Sequence, residues 1–279
     1  MRKVDAEEVV TAVARLCREA NTVLDADLVE AVEDAWVREE TSRGKDVLKK
    51  LIANAQLARK ENIPVCQDTG VAVVFLEVGQ EVCVIGGLEA AVHEGVRRGY
   101  TEGYLRKSIV SHPLIRVNTG DNTPAVIHLR VVPGDRLKIT VAPKGAGSEN
   151  MSALKMLKPA DGIDGVKRFI LEVVENAGGN ACPPLVVGVG IGGTMEKAAL
   201  LAKEALLKPL GEKNPDPAAA ALEGELLKEI NQLGIGPLGL GGRVTALAVH
   251  LLLYPCHIAS LPVAVNLNCH AARHRSAEL

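Results

Sequence analysis

Aromatic side chains are scarce in these 279 residues, with two Phe, three Tyr and one Trp. Stacking platforms for bases are therefore few, and 32 basic against 34 acidic residues leave a formal charge of −2, without the basic excess that a polyanion needs. No nucleic-acid partner is expected. Long unbroken apolar runs are missing too. The one stretch that approaches membrane length, Val244 to Leu267, contains His250, Pro255, His257 and Pro262, which would be costly in lipid, and it reads as buried core. No membrane association is expected. The opening MRKVDAEEVVTAVARL has acids where a secretory leader needs an apolar core, so no export is indicated. Six cysteines are too few for a disulfide scaffold. A cytoplasmic location is expected, where thiols stay reduced and available to bind metal.

What is present begins with helical periodicity. In DAEEVVTAVARLCREA the apolar Val9, Val10, Val13 and Leu16 recur at helical spacing behind a capping Asp5, and ADLVEAVEDAWVREE and KDVLKKLIANAQLARKEN repeat the pattern. The period then changes. VAVVFLEVG and EVCVI are β-branched runs, and HLRVV and RLKITVA are separated by the turn Pro133-Gly134-Asp135. A helix is predicted from about Gly87 to Arg98, another near VKRFILEVVENAG, and a third at AAAALEGELLKEINQL. NACPPLVVGVGIGGTMEKAALLAKEALL reads as turn, strand, glycine loop and helix. The expected class is α+β with mixed α/β content. It comprises a helical N-terminal region over about residues 1–62 and a largely antiparallel sheet with packed helices over 63–279, within one catalytic domain.

Three constellations are candidates for chemistry. GVGIGG, Gly188 to Gly193, has the G-x-G-x-x-G form between a strand and a helix, where a dinucleotide phosphate would meet backbone N–H groups. A Rossmann unit also needs a second parallel strand about twenty residues on, ending in an acid, and here KPLGEKNPDP follows instead. Anion binding or close packing explains these glycines better. Cys256-His257 and Cys269-His270 raise zinc, but no C-x-x-C or H-E-x-x-H accompanies them. The third constellation is the set of cysteines beside turn formers: Cys66 in PVCQDTG, Cys182 in NACPP and Cys269 in NLNCHAARH. Three thiolates from separated loops can hold a [4Fe–4S] cluster with one iron open, and an open iron is a Lewis acid. Each residue also has a structural reading. Asp68 can cap its own turn, Arg106 can be a solvated cation, and His257 can be a satisfied histidine.

In order along the chain, PVCQDTG, GYLRKSIV, PKGAGSEN, NACPPLVVGVGIGGTMEKAALLAK and the terminal NCHAARH resemble the iron–sulfur-dependent class I fumarases and the closely related L-tartrate dehydratases. The likeness is to their alpha subunit, equivalent to the N-terminal domain of the single-chain forms, and it covers nearly the whole chain. It implies a [4Fe–4S] cluster held by Cys66, Cys182 and Cys269. It also implies a substrate site with Gln67 and Asp68, Arg106 on a substrate carboxylate, Gly145 and Gly147 as sources of backbone contacts, and His257. Asp68 is the candidate acid/base group. The activity implied is reversible hydration of fumarate to L-malate, with L-tartrate dehydration as the neighbouring alternative and a non-catalytic iron–sulfur sensor as a third. The single-chain forms supply further arginines, a lysine and a threonine from a C-terminal domain, so the resemblance implies a separate beta subunit in an α2β2 assembly.

Overall fold

The computed structural model describes residues 1–279. Its elements begin with β1 (Arg2–Asp5), α1 (Ala6–Thr22), α2 (Ala26–Arg38), α3 (Ser42–Glu61), β2 (Val71–Gly79) and β3 (Val82–Ile85). Next come α4 (Leu88–Glu102), β4 (Val126–Val132), β5 (Leu137–Lys144), α5 (Ala146–Glu149), β6 (Ala153–Leu157) and α6 (Gly162–Ala177). The chain closes with β7 (Leu185–Gly192), α7 (Met195–Ala205), α8 (Pro217–Gln232), β8 (Ala246–Tyr254), β9 (Leu261–Asn268) and β10 (Arg275–Glu278). The fold is α+β, as expected. Contacts divide it into two units, one of residues 1–25, 55–146 and 273–279, the other of 26–54 and 147–272.

In the first unit the sheet order is β10-β5-β2-β4, with β2 antiparallel to β5 and parallel to β4. The two runs flanking Pro133-Gly134-Asp135 therefore do not pair with each other. β2 lies between them, because its near-continuous apolar face is buried at Ala72, Val74 and Leu76 and takes the central position. α1 starts on a capping box in which Asp5 Oδ1 accepts from Glu7 N at 2.8 Å and Glu8 Oε1 accepts from Asp5 N at 2.9 Å. Its Val9, Val13 and Leu16 are fully buried against Val92, Val96 and Ile139. Each such side chain contributes about 1.5–3 kcal/mol by leaving water.

The second unit holds the sheet β6-β9-β7-β8, antiparallel at β6/β9 and β9/β7 and parallel at β7/β8. α6 and α8 cover one face through Phe169, Ile170, Leu226 and Ile230, which pack with Val187, Val189, Leu251 and Val265. On the other face Ala198 and Ala202 of α7 pack with Ala264. This approach explains the glycine motif. A Cβ on Gly188 would lie 2.2 Å from Ala202 O, and one on Gly190 would lie 2.1 Å from Ala198 O. The helix backbone occupies the space that side chains would take. A parallel neighbour does exist in β8, but the chain reaches it only after α7 and α8, so the Rossmann spacing is absent. The stretch Val244 to Leu267 forms β8 and β9, and most of its strand residues are buried.

Glu39 joins distant segments of the second unit. It is 1% exposed; its Oε1 accepts from the N–H groups of Glu40 and Thr41 and from the Thr41 hydroxyl, and its Oε2 from the N–H groups of Arg243 and Val244. Burial alone would raise its pKa, but these hydrogen bonds outweigh it and hold the carboxyl below the usual glutamate value.

Candidate active site

In the first unit, PVCQDTG links α3 to β2, and it is tied down almost wholly by residues remote in sequence. Val65 N donates to Asn21 O at 2.9 Å, and the Thr69 hydroxyl donates to Arg106 O at 2.9 Å. The fully buried Tyr100 places its hydroxyl 2.7 Å from Thr69 O and 3.1 Å from Gly70 O, while Asn122 Nδ2 donates to Gly70 O at 3.2 Å. Burial pushes the Tyr100 hydroxyl far above its ordinary pKa, so it remains a donor. Gly70 has φ +74°, and a Cβ there would meet the Lys144 backbone at 2.7 Å. No other residue fits that crossing.

Asp68 is the centre of this arrangement. Its Oδ1 accepts from Gly70 N at 3.0 Å, closing an Asx turn, and its Oδ2 accepts from Ala146 N at 2.8 Å. The capping role and an acid/base role are therefore compatible: each oxygen keeps a lone pair beyond the one that holds it in place. Asp68 N lies 3.4 Å from Cys66 Sγ and donates to it. Gln67 and the Arg106 side chain are exposed. Gly145 stands close enough that a Cβ there would lie 3.3 Å from Asp68 Oδ2. Cys66, Gln67, Asp68 and Gly145 are thus brought together, with Arg106 joined through its carbonyl to the hydroxyl of Thr69.

The second unit carries the remaining candidates. Cys182 follows a short 3-10 turn, Gly178–Ala181, with φ +54°, and it is exposed. Cys269 follows β9 and is half-buried. β7 and β9 are antiparallel partners, with Val186 opposite Asn268, so the two cysteines leave the same end of the sheet. His270 N donates to Cys182 O at 3.2 Å. Gly147 is close by, since a Cβ there would lie 3.4 Å from Asn180 O. His257 is different. It is exposed in the connection before β9, at the opposite end of that strand from Cys269, a span of about 23 Å at about 3.3 Å per residue. Within this unit the structure does not bring it to the two cysteines.

The donor chemistry fits an iron–sulfur cluster. None of the six cysteines is in a disulfide, and Cys66, Cys182 and Cys269 lie outside helices and strands, whereas Cys17 is fully buried in α1 with its thiol pushed up to about 12 by burial. No three Cys, His, Asp or Glu side chains are grouped as ligands of a single metal ion. Three thiolates are soft donors of the kind an iron–sulfur cluster takes.

Several residues that support the turn carry little sequence signal. Tyr100 and Asn122 lie in ordinary helix and loop context. Arg273 sits inside the terminal NCHAARH motif, yet its contact with Asp68, described below, spans 205 positions.

A carboxylate held by main-chain amides beside a thiol, an exposed arginine and glycine-rich backbone has the parts that carbon–oxygen lyase chemistry on a small carboxylate requires. The comparisons agree with that class. The family model for fumarate hydratase (Fumerase) matches residues 10–278, and the chain belongs to this family. It is 47% identical over 268 residues to a Methanocaldococcus jannaschii protein named "Putative L(+)-tartrate dehydratase subunit alpha", covering 94% of each chain. It is 36% identical over 265 residues to the L(+)-tartrate dehydratase subunit alpha of Escherichia coli strain UTI89, covering 94% of this chain and 87% of the relative. The corresponding Shigella sonnei protein is 35% identical over the same coverage. Hydro-lyase chemistry is the activity class that the family and these names share.

Proposed function

We propose that this chain is the alpha subunit of a two-subunit, [4Fe–4S]-dependent hydro-lyase that interconverts fumarate and L-malate. One observation carries the reading: the Asp68 carboxylate is held by Gly70 and Ala146 N–H groups within the turn that presents Cys66. Cys66, Cys182 and Cys269 would hold the cluster, which when bound supplies a Lewis-acidic iron. Asp68 holds and releases a proton at a carboxylate oxygen. The Arg106 guanidinium binds a substrate carboxylate and offsets the charge that builds up next to it when the neighbouring carbon loses its proton. Gln67 orients the substrate by hydrogen bonds, and the backbone around Gly145 and Gly147 allows close approach. His257 remains a proposed substrate contact, although β9 separates it from Cys269 within its own unit.

The word alpha in the relatives' names supports a separate beta chain, and an α2β2 assembly is part of the proposal, as is a cytoplasmic setting in which thiols stay reduced. No helix is long and apolar enough to cross a membrane. The relatives' names favour a second reading, L-tartrate dehydration to oxaloacetate by the same site. Anaerobic co-expression with the beta chain, iron and sulfide counts, and relative rates on fumarate, L-malate, mesaconate and L-tartrate decide between them. Fastest turnover of fumarate and L-malate is expected. Dominant L-tartrate turnover would select the second reading, and an inactive, iron-free complex after reconstitution would overturn both.

A further inference from the structure

Arg273 is 5% exposed, and its guanidinium has one partner: Nη2 donates to the Asp68 main-chain oxygen at 2.5 Å. Nε and Nη1 are buried without a hydrogen-bond partner, and no carboxylate forms an ion pair with it. Its neighbour Arg275 disposes of its charge differently, on the carboxylate of Asp25. A guanidinium is always charged, and burying one without a counter-ion is unfavourable. A side chain serving only to fill that space would do better as an apolar group of similar length. The one atom Arg273 grips belongs to the residue whose carboxylate the proposed reaction uses. Tyr100, which holds the next two carbonyls, lies in the same field, acted on by the charges of both Arg273 and Asp68.

We propose that Arg273 is a positioning residue for Asp68, fixing its main chain so that the carboxylate stays on the Gly70 and Ala146 amides and faces the substrate, at the expense of stability. The assignment rests on the hydro-lyase reading for its catalytic consequence but not for its structural one. Two variants of the full chain separate the cases: Arg273→Met, which keeps length and removes charge, and Arg273→Lys, which keeps the charge and a donor.

Hydrogen exchange of the isolated chain reads the position of Asp68 directly, because its carboxylate accepts from Gly70 and Ala146 N–H. In Arg273→Met these two amides are expected to exchange about tenfold faster while the denaturant midpoint stays level or rises. In the cluster-loaded complex with the beta chain, kcat is expected to fall about 100-fold with KM within about threefold of wild type and iron content unchanged. Arg273→Lys should recover part of both effects. Unchanged exchange at Gly70 and Ala146 would overturn the proposal. So would a lowered midpoint with loss of iron in both variants, which marks a general structural role. An inactive wild-type complex would instead defeat the hydro-lyase reading and leave the exchange result to decide the fate of Arg273.

Discussion

Gly190→Ala adds a single methyl group to β7, and the structure places it 2.1 Å from Ala198 O, 2.6 Å from Ala202 N and 2.8 Å from Leu201 Cβ. Real Cβ atoms do not approach within 3.0 Å, so α7 must retreat by at least the difference from 2.1 Å, 0.9 Å. The obstructing atoms are helix backbone, which cannot turn aside as a side chain would. Moving α7 loosens Ala198, Ala202 and Ala264, all 3% exposed or less. Overpacking of this kind costs about 1–3 kcal/mol and sometimes more, and the backbone contact puts Gly190 near about 3 kcal/mol. At about 2–4 °C per kcal/mol, the melting midpoint should fall by about 6–12 °C. Gly224→Ala is the matched control, since it lies inside α8 with nothing within 4 Å of the added Cβ. It should stabilise by about 0.5–1 kcal/mol. Circular dichroism melts, with a titration of NADH followed by fluorescence, test both substitutions. A normal midpoint in Gly190→Ala would refute the close-packing account. So would wild-type NADH binding that the substitution abolishes without loss of stability, because that is the behaviour of a phosphate-binding loop.

Asp68→Asn should lower kcat of the αβ complex by about 10²–10⁴-fold, and it should also leave either Gly70 N–H or Ala146 N–H facing an amide donor, at a cost of about 1–3 kcal/mol, so turnover and denaturant midpoint are measured together. Glu39→Gln deprives at least two N–H groups of their acceptor, Val244 N–H being the buried one of the four, and should destabilise by about 1–3 kcal/mol at neutral pH. Because the folded pKa of Glu39 is lowered, its charge contributes fully above the ordinary value of 4.5 and the contribution is lost as pH falls through the folded value; denaturant midpoints of wild type and variant should converge only below pH 4.5. In the apo chain, iodoacetamide should label exposed Cys182 and Cys256 first and reach Cys17 only on denaturation, as peptide mapping will show; early labelling of Cys17 would contradict its burial in α1.

The order and kind of the elements were legible along the chain because their causes are local. Helical spacing of Val9, Val13 and Leu16 and the Asp5–Glu8 capping box act within a few residues, and the β-branched runs announce their own period. The crowding of Cys66, Gln67 and Asp68 between Pro64 and Gly70 was equally visible as a candidate site. Neighbourhood was not. That β2 inserts between β4 and β5 depends on which strand buries both faces, and a short turn at Pro133-Gly134-Asp135 does not reveal it. The same glycine spacing serves a phosphate loop or a tightly packed helix. Only the position of Ala198 and Ala202 against Gly188 and Gly190 decides for packing. His257 lies only twelve residues before Cys269, yet an extended strand separates them. For Asp68, sequence supplied the carboxylate and the turn residues that surround it. The amide of Ala146, the hydroxyl of Tyr100 beneath the turn and the buried cation of Arg273 came from folding, because hydrogen bonds and charges act through space over a few ångströms, whatever the separation along the chain.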